Sequence, residues 1–97
     1  MRFVRLTIHG RVQGVGFRAF VEHEAAQRGL EGWVRNRRDG SVETLIAGDG
    51  LVLDDMIKVC GRGPAVAHVD RMDIDEAKAA ELARRAPGER FSVLQTA

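Results

Sequence analysis

The chain has 97 residues, 44% hydrophobic and 30% charged, with 15 Lys+Arg against 14 Asp+Glu. This is globular composition, and a net charge of +1 argues against a bulk polyanion binder. A single cysteine excludes an internal disulfide and a cysteine-built metal cluster within one chain, and no apolar run approaches the ~20 residues that span a bilayer. The N-terminus enters an alternating pattern at once and lacks a signal-peptide core, so one cytoplasmic, reduced, soluble domain over residues 1–97 is expected.

Residues 3–9 alternate, with Val4, Leu6 and Ile8 on one face and Phe3, Arg5, Thr7 and His9 on the other, which predicts a half-buried strand. Gly10 to Gly16 is a glycine-rich turn. Phe17 to Arg28 reads as a helix, with Phe17, Phe20, Val21 and Ala25 on one stripe and Gly29 as its stop. Trp33–Arg37 and Ser41–Ala47 read as strands joined by Arg38-Asp39-Gly40, a hairpin signal. Asp49 is placed to cap a second helix, whose apolar stripe is Leu53, Met56, Ile57 and Cys60. Ala67–Ile74 reads as a fourth strand, with a parity slip between Val69 and Met72 that suggests a bulge or an edge position. Glu76–Ala86 is rich in helix formers and suggests a short helix before Pro87-Gly88; Arg90–Gln95 closes as a strand.

The order is β-α-β-β-α-β plus a C-terminal strand. It predicts an α+β, ferredoxin-like sandwich, an antiparallel-rich sheet with two helices on one face. Such a plan serves many functions, so function has to be read from particular residues.

The charge is unevenly spread. Residues 1–40 carry eight Arg and four acids (+4); residues 41–97 carry seven bases and ten acids (−3). A dipolar surface and an Arg-built anion site both fit this split. The segment Gly10-Arg-Val-Gln-Gly-Val-Gly-Phe-Arg18 runs from a strand end through three glycines into a helix N-terminus. Helix N-termini expose unpaired N–H groups at the positive end of the backbone dipole, and glycines let successive N–H groups converge on one anion. Arg18 stands in the first turn of that helix, where its guanidinium can close over such an anion; a tight strand–helix turn with a surface Arg is the plainer reading. The segment has neither Walker nor dinucleotide-binding pattern, so it suits one terminal phosphate. Asn36 closes the second strand on the same face as Val34. Its amide either ties down the hairpin or holds a water. His9, His23 and His68 lack metal-ligand spacing, Asp70 to Glu76 lack the glycine of a calcium loop, and Cys60 belongs to a core stripe. Arg35, Arg37 and Arg38 read as a solvated basic face or as a steering patch for an anionic substrate.

Three segments together resemble the small acylphosphatase family: Gly10–Arg18, Gly29-Leu-Glu-Gly-Trp-Val-Arg-Asn36-Arg-Arg-Asp39-Gly40-Ser-Val-Glu43, and Gly63-Pro64-Ala-Val-Ala67-His-Val69. They follow the family order and spacing from residue 10 to residue 69; beyond about residue 74 the likeness fades. The resemblance implies a metal-independent hydrolase of the carboxyl–phosphate bond in acyl phosphates, without cofactor. It implies that Arg18 and the N–H groups of Val12, Gln13, Gly14, Val15, Gly16 and Phe17 bind the phosphate. It also implies that Asn36 orients the attacking water. The expected partners are a small acyl phosphate and its product, inorganic phosphate, with neither nucleic acid nor membrane, on a monomer.

Two other classes compete. An RRM-like nucleic-acid module shares the plan, but the chain has no Tyr, only 5% aromatic residues and nothing like the RNP1 pattern. A non-catalytic phosphate- or acyl-phosphate-binding domain is disfavoured by the presence of both Arg18 and Asn36, and a stand-alone unit is expected rather than an offshoot of the N-terminal domain of a larger carbamoyl-transfer protein.

Overall fold

Alternation along the first strand buries one side completely. In the computed structural model, which describes residues 1–97, Val4, Leu6 and Ile8 of β1 (Arg2–Arg11) have no exposed surface. The order continues with α1 (Phe17–Gln27), β2 (Glu31–Asn36), β3 (Val42–Gly48), α2 (Gly50–Arg62), β4 (His68–Glu76), a 3-10 helix at Ala79–Arg84 and β5 (Phe91–Val93). The five strands lie in the order β4-β1-β3-β2-β5; β1 pairs antiparallel with β3 and β4, β2 pairs antiparallel with β3, and β5 runs parallel to β2. This is the expected ferredoxin-like α+β plan with its extra C-terminal strand. No helix is long and apolar enough to cross a membrane.

The core lies between the sheet and the two helices. Phe17, Val21 and Ala25 of α1 and Leu53, Met56 and Cys60 of α2 meet Val4, Leu6, Ile8, Val34, Val42 and Ile46 of the sheet. Each large side chain removed from water there contributes about 1.5–3 kcal/mol before chain entropy is counted. Asp49 caps α2 as expected, its carboxylate accepting from the Leu51 N–H at 3.0 Å. The parity slip in β4 has both suggested causes. β4 is an edge strand, and its register against β1 shifts where His9 faces Arg71 and Gly10 faces Val69, leaving Asp70 as the extra residue.

The short helix expected within Glu76–Ala86 is present, in narrower bounds and more tightly wound: β4 runs on through Glu76, and Ala79–Arg84 coils as a 3-10 helix. That helix covers the sheet face away from α1 and α2, where Trp33 and Leu45 are buried, and the Trp33 indole N–H donates to the Glu81 carbonyl at 2.9 Å. A short, tightly wound piece fits because it must cap one indole rather than present a long apolar stripe. The last strand is shorter than Arg90–Gln95, but the chain beyond it stays along the hairpin: Leu94 N–H donates to Val34 O, Ala97 N–H to Asn36 O and Arg38 N–H to Ala97 O.

Candidate active site

The bend after β1 is shaped by two torsions. Gly14 and Gly16 have φ of 73° and 80°, while no non-glycine residue in the chain has positive φ, so the sign alternates across Val15. A Cβ at either glycine would meet nothing within 4 Å; what excludes other residues is the left-handed backbone. Alternation of this kind turns successive N–H groups toward one point. The N–H groups of Gln13 through Ala19 donate to no acceptor in the protein; the first helical bond is Phe20 N–H to Gly16 O, at 3.0 Å. Gly16 supplies no side-chain cap, and the first turn of α1 holds no acidic residue. The positive end of the helix is therefore uncompensated by the protein and directed at whatever occupies the bend.

Two contacts hold this bend against the rest of the molecule. The Phe17 ring is buried, edge-on to Phe20 at 5.9 Å between centroids. It lies against Gly63 at the end of α2, where a Cβ would stand 2.5 Å from Phe17 Cε2 and φ is 66°. On the other side, the Gln13 side-chain amide donates to Arg37 O at 2.7 Å and Ser41 O at 2.9 Å, clamping the loop to both arms of the hairpin next to Asn36. The hairpin turn is fixed in turn by Asp39, whose carboxylate accepts from Ser41 Oγ at 2.6 Å and Ser41 N at 2.9 Å. Those bonds, the hydroxyl first and the backbone N–H second, hold the Asp39 carboxyl below its ordinary range.

Loop, helix and hairpin enclose a cavity of about 510 Å³. Val12, Gly14, Gly16, Phe17, Arg18 and Asn36 all line it. Gln13 and Val15, the other two expected loop residues, do not. Gln13 is turned to the hairpin, and Val15 packs against the core. Arg18 is half-buried and its guanidinium makes no hydrogen bond or ion pair within the protein; the side-chain amide of half-buried Asn36 likewise has no protein partner. Two donor-rich groups and a run of unpaired N–H groups thus share one cavity, with no carboxylate committed to any of them.

Sequence reasoning did not single out three features of this region. The Gln13 clamp acts through the side chain of a residue whose expected role was its backbone N–H; a long polar side chain among glycines is its one signal in the sequence. Glu22 and Val93 also line the cavity. Glu22 was legible from its place one helical turn after Arg18, whereas Val93 arrives through a parallel pairing that local pattern does not encode. The basic face is also corrected. Arg35, directly opposite Glu43 in the sheet, binds it at 2.7 Å and stacks on Trp33 at 4.8 Å, and Arg37 reaches the same carboxylate at 3.3 Å. Only the exposed Arg38 among the three has no side-chain partner. The histidines stand outside the cavity: His9 contacts Asp73 at 3.2 Å and His68 contacts Asp70 at 3.1 Å. Burial pushes the Cys60 thiol up to about 12, as suits a core residue.

The acylphosphatase family model matches residues 4–92, so the likeness extends past the three motifs and through the 3-10 helix into β5. An acylphosphatase of Bradyrhizobium diazoefficiens is 54% identical over 93 residues, spanning 96% of this chain and 94% of the relative. One from Rhodopseudomonas palustris is 53% identical over 92 residues, spanning 95% and 93%. The crystal structure of acylphosphatase from Bacillus subtilis superposes with a TM-score of 0.83 at 39% identity, covering 97% of this chain and 99% of that one. On sequence and fold alike, the chain belongs to the acylphosphatase family.

Proposed function

We propose that the chain hydrolyses acyl phosphates with the phosphoryl group seated on the N–H groups of the Val12–Phe17 bend and under Arg18, and with water held by Asn36. Acyl phosphate hydrolysis itself follows from family membership. The observation that carries the assignment of roles is the convergence on one cavity of unpaired backbone N–H groups, a guanidinium without a partner and a side-chain amide without a partner. The water oxygen attacks phosphorus, the bond from phosphorus to the acyl oxygen breaks, and the carboxylate departs with the electron pair. A carboxylate is a good leaving group and needs little protonation. The water's proton passes to a phosphoryl oxygen, since Asn36 is no base at neutral pH and serves only to orient. Such phosphoryl transfer is governed by positioning and charge stabilisation, both within reach of fixed N–H donors and one Arg.

A nucleic-acid role is not favoured: the cavity is lined by one aromatic residue, the buried Phe17, and has no run of stacking aromatics. The reading includes a metal-independent reaction on a cytoplasmic monomer. Benzoyl phosphate hydrolysis by the purified chain should persist undiminished in EDTA; loss in chelator and recovery with magnesium would reject the metal-free route.

A further inference from the structure

The cavity continues beyond the phosphate cup. Arg18, Glu22 and Ala26 follow one another at four-residue intervals, one stripe of α1. Glu22 lines both the cavity of Arg18 and Asn36 and a second recess of about 460 Å³, to which Ala26, Leu30 and Phe91 contribute. Across from α1, Val93 walls the first recess and Phe91 the second; two positions apart on β5, they share one side of that strand. The two recesses share Glu22 in their linings, and we read them as one groove between α1 and β5 with Glu22 at the junction.

The groove has a definite chemistry. Its walls beyond the cup are largely apolar, and Val93 keeps 43% of its surface exposed at the lip. Glu22 is exposed and makes no hydrogen bond or ion pair. Arg18 stands one turn before it yet does not bind it, in keeping with the weaker order for a helical ion pair, the cation first. At the far end Arg90 is committed to the Gly29 carbonyl at 2.8 Å, and Glu89 accepts from Ser92 Oγ at 2.7 Å. Arg90 and Glu89 keep opposite charges at that far end, so the charge an acyl group meets first on leaving the cup is the Glu22 carboxylate.

We infer that the α1–β5 groove receives the acyl half of the substrate and that Glu22 is a specificity determinant. It favours apolar or amine-bearing acyl groups and disfavours those that carry a carboxylate or a second phosphate. The inference rests on the phosphate cup proposed above. With the phosphoryl group fixed there, the acyl carbons have to pass the junction, and a second negative charge on them meets Glu22 without an intervening cation. The phosphoryl charge itself is met by Arg18 and the N–H groups.

Benzoyl phosphate, 4-carboxybenzoyl phosphate and 4-(aminomethyl)benzoyl phosphate test this, since they carry no charge, a negative charge and a positive charge at the ring's far end, and the Glu22 variants separate charge from substituent size. The wild type should prefer the benzoyl and aminomethyl substrates in kcat/KM. Glu22→Gln should move the benzoyl to carboxybenzoyl ratio toward the carboxylate by about fivefold. Glu22→Asp should keep the wild-type ratio. Added salt should raise the carboxybenzoyl rate relative to benzoyl in the wild type and not in Glu22→Gln. Inhibition by inorganic phosphate, compared with Arg18→Ala, reads the cup separately. If phosphate inhibition depends on Arg18 while the substrate ratio ignores Glu22, the groove assignment is wrong and the cup stands. If phosphate inhibition is indifferent to Arg18, both fall.

Discussion

The sheet face under the 3-10 helix and the cavity at the start of α1 treat their polar groups in opposite ways. On the face under the 3-10 helix, cations are paired: Arg5 with Glu81 at 2.7 Å, Arg35 with Glu43 at 2.7 Å and Arg85 with Glu31 at 3.0 Å, while the Trp33 indole finds a carbonyl. On the helix-covered side, at the start of α1, Arg18, Asn36 and the N–H groups of Gln13 to Ala19 have no partner in the protein. Paired groups on the first face close a surface over a buried Trp. Unpaired ones in the second region are the donors that the proposed function assigns to the substrate, because a donor already bonded has little to offer developing charge.

Substitutions in the two regions should therefore differ in kind. Arg18→Ala should cost the most, about 10²–10³-fold or more in kcat/KM for benzoyl phosphate, with phosphate inhibition lost and melting temperature nearly unchanged. Asn36→Ala should cost about 10²-fold in kcat through a misplaced water, while phosphate inhibition stays near the wild-type value. Abolished phosphate affinity in a folded Asn36 variant would contradict that division. Gln13→Ala removes the clamp between loop and hairpin. It should lower kcat by about tenfold and also lower stability, by roughly 1–3 kcal/mol for two lost hydrogen bonds, visible in urea titrations. Glu81→Gln, on the paired face, should leave kinetics alone and cost about 1 kcal/mol at neutral pH. Burial alone would raise the Glu81 carboxyl, but the Lys78 N–H and Arg5 outweigh it and hold the group below its ordinary range. A carboxyl lowered in the folded state contributes stability above its unfolded pKa and loses it as pH falls through the folded value. The melting difference between wild type and Glu81→Gln should thus be present at pH 7 and close on acidification below the ordinary Glu range; a difference that widens in acid would overturn the pairing.

The helix-facing half was legible from sequence because its signals are local. Period-2 and period-3.6 stripes marked β1, α1 and α2, Asp39-Gly40 marked the hairpin, and three glycines before Arg18 marked the bend with its unpaired N–H groups. The other half depends on contacts between distant residues. Glu81 covering Trp33, Glu43 serving both Arg35 and Arg37, and the parallel pairing of β5 with β2 that brings Val93 to the cavity leave no periodic trace. The basic run at 35–38 misled for the same reason, since its counter-charge lies on the next strand. The proposed site is easier to read than its supports because a bend that turns successive N–H groups to one point needs glycines at fixed places, whereas a clamp such as Gln13 needs only reach.

The most direct test of the account is a phosphate titration of isotope-labelled protein followed by amide NMR. The account predicts saturable shifts concentrated on the N–H groups of Gln13 to Phe17, with a shift in the Arg18 guanidinium signal, and their loss in Arg18→Ala. Saturable shifts centred elsewhere, or loop amides that stay unmoved while benzoyl phosphate turns over, would contradict it.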